Sequence, residues 1–211
     1  MKICEIFTSI QGESSYSGML CTFIRVAGCN LRCTYCDTTY AYDNGIELTE
    51  DEIINEISLI GVNLVAITGG EPLLQKDTLH LIERLINEGH RVLIETNGTM
   101  SIKDIDSRAI IVLDVKTPGS GMWEDMDISN FDYIKPSDEI KFVIVDRPDY
   151  EWAKDMIQKY RLKSKCKTLF SPAFGILSPE LLIKWMLEDR LDARLNLQMH
   201  KYIYGADRRG V

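Results

Sequence analysis

Three of the six cysteines, Cys29, Cys33 and Cys36, stand within eight consecutive residues, and Asp37 and Thr38 follow directly. Their spacing, C-x3-C-x2-C, lies on a stretch with no apolar period, so it reads as a loop. A structural zinc site takes four ligands, usually as two short-spaced pairs. No second pair is present: Cys166 is isolated, and His80 and His90 belong to a helix and its exit. His200 could supply a single distant fourth ligand, so a Cys3His zinc site stays open as an alternative. Three thiolates suit a [4Fe–4S] cluster with one iron left without a protein ligand. Electron carriers of this type use four cysteines, so the missing fourth points to chemistry at the open iron. Cys4, Cys21 and Cys166 lie in apolar, strand-like surroundings and read as inert core thiols.

The surrounding pattern says what must position this loop. "KICEIF" and "LCTFIRVAG" read as two N-terminal strands around a Gly/Ser-rich loop at 12–18. Thr49 and Glu52 form a capping box ahead of a helical "IINEISLI", and "NLVAIT" follows as a strand. A helix over 76–88 closes at Gly89 and leads into the strand "RVLIET". "IIVLD", "IKFVIV", "KTLF" and "RLNLQ" supply four further strands. A helix at 149–161 and another starting at Ser178-Pro179 separate the later ones, and 115–138 is irregular. Alternating strand and helix predicts a parallel sheet with right-handed crossovers. About six such units make an α/β chain too short for a closed eight-fold barrel but sufficient for a partial barrel or an open sheet. A single domain over 1–211 is expected, since no linker or repeat divides the chain. Ligands of such sheets collect at the carboxyl ends of the strands. That edge is marked here by Gly69-Gly70-Glu71-Pro72, Asn97-Gly98, Lys116 to Gly119, and Ser171-Pro172.

The net charge of −8 argues against non-specific nucleic-acid binding, and Arg208-Arg209 reads as a solvated tail. The N-terminal residues lack a signal-peptide core, and no run approaches about 18 apolar residues, so a cytoplasmic protein without membrane contact is expected. In that compartment thiols stay reduced, which favours a metal or catalytic reading of the cysteines over disulfides.

C-x3-C-x2-C followed some thirty residues later by a strand and "TGGEP" (68–72) resembles the signature of radical S-adenosylmethionine (SAM) enzymes. Within that superfamily the chain looks like the 7-carboxy-7-deazaguanine synthases. The likeness is sharpest at Ile10-Gln11-Gly12-Glu13, Phe23-Ile24-Arg25, Cys36-Asp37-Thr38, Thr68 to Pro72 and Gln198-Met199-His200-Lys201. Ser14 departs from it where a second glycine is usual, and Tyr35 stands where tryptophan is frequent. The resemblance implies a partial (β/α)6-type radical SAM barrel, reduced in helices, with an N-terminal strand extension. It implies a [4Fe–4S] cluster on Cys29, Cys33 and Cys36, SAM chelated at the open iron, and Mg²⁺ held by Thr38, with Asp37 as the rival oxygen ligand. SAM would meet Tyr35, Cys36, Asp37, Gly69, Gly70, Glu71, Glu95, Asp114, Val115, Lys116 and Ser171-Pro172-Ala173-Phe174. The substrate, 6-carboxy-5,6,7,8-tetrahydropterin, would meet Ile10, Gln11, Gly12, Glu13, Arg25, Thr68 and His200. A rigid guanidinium such as Arg25 suits its carboxylate, and Gln11 and Glu13 complement its amide and guanidine edges. A flavodoxin or ferredoxin reductant and a homodimer are further implications. Two alternatives stand beside this reading: an activase that installs a glycyl radical on a partner protein, and a non-catalytic iron–sulfur or zinc module.

Overall fold

The computed structural model describes residues 1–206 and 208–211. The predicted N-terminal strands pair as an antiparallel hairpin, β1 (Lys2–Ile10) and β2 (Leu20–Val26), with a two-residue strand β3 (Ile46–Glu47) on the far edge of β1. From β2 onward every pairing is parallel: β4 (Leu64–Gly69), β5 (Arg91–Thr96), β6 (Ile110–Val115), β7 (Glu139–Ile144), β8 (Lys167–Pro172) and β9 (Arg194–Leu195) follow in chain order. The resulting order, β3-β1-β2-β4-β5-β6-β7-β8-β9, does not close on itself. It is an open, partial barrel with an antiparallel extension, as the resemblance implied.

Four helices make crossovers: α1 (Glu50–Ile60), α2 (Thr78–Asn87), α3 (Arg147–Lys159) and α4 (Pro179–Glu188). The capping box on α1 forms as read, with Thr49 Oγ1 accepting from Glu52 N–H and the Glu52 carboxylate accepting from Thr49 N–H. Gly89 takes a φ of +93° just past α2, which few side chains tolerate. α3 starts two residues earlier than predicted because Asp146 caps it and Pro148 fits its first turn. The predicted strand "RLNLQ" shrinks to two paired residues, and the chain then forms a short helix, α5 (Met199–Tyr204), not expected from the sequence.

Two crossovers lack an α-helix. Between β5 and β6 the buried Asn130 does the organising: its amide donates to the carbonyls of Gly98 and Met100, and its oxygen accepts from Ile102 N–H. Between β6 and β7 the chain runs through short 3-10 turns at Pro118–Ser120, Trp123–Asp125 and Ile128–Asp132, the irregular segment foreseen.

Strand alternation divides the sheet into two faces. One face, with Ile24, Ile67, Ile94, Leu113, Phe142 and Phe170, is sealed under the helices in the main core. The opposite face carries Arg25, Thr68, Glu95, Asp114 and Lys141 on five adjacent strands. Register places Arg25 beside Thr68 and Asp114 beside Lys141. Polar residues in central strands are expensive unless they face a ligand or one another. Among the described residues no helix is long and apolar enough to cross a membrane.

Candidate active site

The cysteine loop is held by glycine. Gly28 donates to Ala41 O at 2.8 Å and accepts from Glu71 N–H at 2.8 Å, while Gly70 N–H donates to Val26 O at 3.1 Å. A Cβ on Gly69 would collide with the Val26 backbone, and one on Gly70 with the Gly28 carbonyl. Only two glycines let the end of β4 pass this close to the loop bearing Cys29. The Glu71 carboxylate does not reach outward. It accepts from Leu73 N–H, Thr96 Oγ1 and Asn97 N–H at 2.9, 2.8 and 2.6 Å, and so ties the ends of β4 and β5 together. Burial raises its pKa despite these donors. Asn97 in turn donates to Asn30 Oδ1 at 3.1 Å and lies 3.9 Å from Cys29 Sγ.

Cys29, Cys33 and Cys36 line one cavity of about 690 Å³, a size ordinary for small-molecule sites. Cys21 is fully buried elsewhere, and burial pushes the thiols of Cys21 and Cys166 up to about 12, which suits inert core residues. His200, the residue that could complete a zinc site, packs on Gly12, where a Cβ would strike its Nδ1. The three thiols reach the same cavity, the donor set that an open cluster would use.

Polar side chains line the same cavity. Arg25 Nε donates to Glu5 Oε1 at 2.7 Å, and its guanidinium lies against the rings of Phe7 and Tyr40. Gln11 donates to Glu95 Oε1 at 3.1 Å and accepts from Glu13 N–H. Thr68 Oγ1 donates to Glu95 Oε2 at 2.8 Å. Burial raises the Glu95 carboxyl: the nearby Lys141 charge opposes this and the Glu13 charge adds to it. Glu13 is salt-bridged to Lys141 at 2.9 Å and accepts from Gln198 at 3.0 Å. Its carboxyl falls below the ordinary range, because Lys141 outweighs the effect of burial. Asp114 sits between Lys116 and Lys141, each at 3.1 Å. Burial raises its pKa, but the two ammonium charges prevail and hold it low.

Asp37 is committed to protein partners. Lys201 Nζ at 2.5 Å and Gln198 Nε2 at 2.9 Å donate to Oδ2, and Thr38 Oγ1 donates to Oδ1 at 2.9 Å. Burial is outweighed by Lys201 and these hydrogen bonds, so the carboxyl lies well below the usual range. The Tyr35 hydroxyl is buried in the cavity wall without a partner among the described residues.

All the predicted site residues line this cavity except Glu71 and Val115. Val115 alternates with Asp114 and Lys116, so its side chain enters the apolar core instead. Residues without a sequence-assigned role also belong here: Lys141, Gln198, Lys201, Tyr40, Ala206 and residues 208–211. Lys141 carried a readable signal, a charge inside the apolar run "IKFVIV". Arg208 and Arg209 are exposed but not an idle tail. They line the cavity, with the Arg209 guanidinium 3.9 Å from the Tyr40 ring centre.

Comparison with known proteins agrees with this geometry. Residues 23–119 match the Radical SAM superfamily. The chain is 43% identical to a 7-carboxy-7-deazaguanine synthase of Koribacter versatilis, covering 100% of both, and 44% identical to one of Chlorobaculum tepidum, covering 100% of this chain and 97% of the other. Among solved structures it resembles QueE from Escherichia coli, with a TM-score of 0.78, 22% identity and 94% of each chain covered. It also resembles Streptococcus suis SuiB bound to S-adenosylmethionine, with a TM-score of 0.60, 15% identity, and 83% of this chain and 49% of that one covered. Whole-length identity at this level, together with the cysteine loop and its glycine partner, settles the family: the chain belongs to the 7-carboxy-7-deazaguanine synthases of the radical SAM superfamily.

Proposed function

We propose that the chain converts 6-carboxy-5,6,7,8-tetrahydropterin to 7-carboxy-7-deazaguanine with loss of ammonia, using one domain over 1–211. The observation that carries this reading is that one cavity of about 690 Å³ is lined both by Cys29, Cys33 and Cys36 and by Gln11, Glu13 and Arg25. Cys29, Cys33 and Cys36 would hold the cluster and the ends of β4 and β5 would receive SAM, and together these groups would supply the radical chemistry that removes hydrogen from C6 of the pterin.

The protein's own groups bind and orient. Arg25 is fixed through Nε by Glu5, which leaves the end of its planar fork for the substrate carboxylate. Gln11, Glu13 and His200 address the pterin edges, with Ile10, Gly12 and Thr68 shaping the wall. The backbone of Gly69 and Gly70 receives the methionine part of SAM. Tyr35, Glu95, Asp114, Lys116 and Ser171 to Phe174 receive the rest. For Mg²⁺, the saturation of Asp37 by Lys201, Gln198 and Thr38 favours the Thr38 hydroxyl as ligand, since its lone pairs stay free while its proton is donated. A homodimer, a flavodoxin or ferredoxin reductant and a cytoplasmic setting complete the reading, the last in keeping with six unpaired cysteines.

The test is anaerobic turnover. Reconstituted protein with about four iron and four sulfide per chain, given reductant, SAM, Mg²⁺ and the pterin, should release ammonia and the deazaguanine, identified by mass. Thr38→Ala should raise the Mg²⁺ requirement at unchanged cluster content. Full cluster and SAM cleavage without ammonia release would overturn the assignment.

A further inference from the structure

Lys141 is a buried cation that none of the proposed contacts uses. It lies mid-sheet on β7, with Nζ 2.9 Å from Glu13 Oε2 and 3.1 Å from Asp114 Oδ2. Asp114 is already neutralised by Lys116 on its other oxygen at 3.1 Å. Glu13 reaches Lys141 from the loop after β1, a separation of 128 residues, while its second oxygen takes Gln198 from the start of α5. One lysine therefore links the loop proposed to hold the pterin to the strand end proposed to hold SAM.

We infer that Lys141 is a positioning residue that acts through Glu13, fixing its carboxylate in the direction and the charge state needed to accept hydrogen bonds from the substrate. The inference rests on the proposed role of Glu13 at the pterin edge. Without Lys141 the carboxylate would be half-buried among groups of its own sign. The charged groups facing it are Glu95 on β5, Asp37 on the cluster loop and His200 on α5, with Asp114 and Lys116 behind Lys141. Among the described residues Lys141 is the cation paired with it: Lys201 is committed to Asp37, and burial lowers the His200 pKa. A buried carboxyl stripped of its cation takes up a proton at higher pH. A protonated Glu13 loses acceptor capacity, so substrate would bind less well as pH falls.

The experiment uses reconstituted enzyme and compares the parent with Lys141→Met, Lys141→Arg, Glu13→Gln and the double variant Lys141→Met/Glu13→Gln. KM for the pterin is read from pH 6 to 9, and KM for SAM beside it. Lys141→Met should raise the pterin KM on the order of ten-fold or more at pH 6, with the loss shrinking towards pH 9. Lys141→Arg keeps the charge and should keep the parent's pH profile with a modestly raised KM. In the Glu13→Gln background Lys141→Met should add little, and that background subtracts any titration of His200, Glu95 or Asp37. Fully additive losses, or a KM rise for SAM equal to that for the pterin, would overturn the inference.

A second readout does not need turnover. Glutamate labelled with ¹³C at the side-chain carboxyl, its Glu13 signal assigned by loss in Glu13→Gln, should titrate at higher pH in Lys141→Met than in the parent. An unmoved signal would also overturn the inference. If the parent fails to turn over the pterin, the proposed function falls, and this titration still decides whether Lys141 controls Glu13.

Discussion

Arg25 stands four residues before Cys29, and its surroundings define what its removal should do. Its Nε is taken by Glu5, and Phe7 and Tyr40 flank the guanidinium. Its free end is proposed to pair with the substrate carboxylate, and breaking a largely desolvated ion pair by removing one partner costs roughly 3–5 kcal/mol. At about 1.4 kcal/mol per factor of ten, Arg25→Ala should lower kcat/KM by on the order of a hundred- to a few-thousand-fold. Arg25→Lys should recover only part, because it keeps the charge and loses the fork. A SAM titration and iron analysis should match the parent; loss of SAM binding as well would make Arg25 a structural residue. Single residues were unevenly legible. Positions such as Arg25 and Glu13 could be read because they fall inside the motifs that carry the family resemblance. Their partners could not: Glu5 and Lys141 lie 20 and 128 residues from them, and Lys141 was marked only by a charge inside an apolar run. The side chain of Val115 faces the core because residues alternate along a strand, which a reading of Asp114 to Lys116 as one block does not show.

At the scale of elements, the joint between β4 and the cysteine loop depends on two missing side chains. Gly70→Ala would drive a methyl group into the Gly28 carbonyl, and overpacking of this kind costs about 1–3 kcal/mol. We expect a lower Tm and loss of SAM binding measured by titration, with the cysteine loop displaced. Normal SAM affinity in a folded Gly70→Ala would show that the loop tolerates the shift. The loop after β1 carries the opposite situation. Ser14 is buried at a φ of +64°, a left-handed conformation, at the position where glycine is usual in the family. Its hydroxyl accepts from Tyr16 N–H at 3.1 Å, a partial compensation. Relief of this conformation is worth about 1 kcal/mol, so Ser14→Gly should leave stability unchanged or slightly raised, whereas Ser14→Val should lower it clearly in urea unfolding. Capped helices and alternating strands were readable because their signals are local. The crossover between β5 and β6 was not, because Asn130 organises it from 28–32 residues away in sequence.

For the whole molecule, the same charges that build the cavity make stability depend on pH. Asp114, Glu13 and Asp37 have pKa values held below the ordinary range by Lys116, Lys141 and Lys201 against the cost of burial. A depressed carboxyl contributes stability that is fully present above its unfolded value, near pH 4, and lost as pH falls through its folded value. Glu95 and Glu71 are raised by burial and pull the other way, which softens the effect. The urea midpoint should fall between pH 5 and 3. Asp114→Asn should be less stable than the parent at pH 7 by roughly 3–5 kcal/mol, because two buried ammonium groups lose their shared partner, and its midpoint should vary less with acid. An equal acid dependence in both proteins would remove Asp114 from this account. On the proposed function one cavity would hold cofactor and pterin together, so that hydrogen taken from substrate would return within the same turnover. The most direct test is the ratio of ammonia released to SAM consumed by reduced, reconstituted enzyme with Mg²⁺ under anaerobic conditions. The account predicts a ratio well above one, with deazaguanine as the product; one SAM consumed per ammonia, or SAM cleavage with no ammonia, would contradict it.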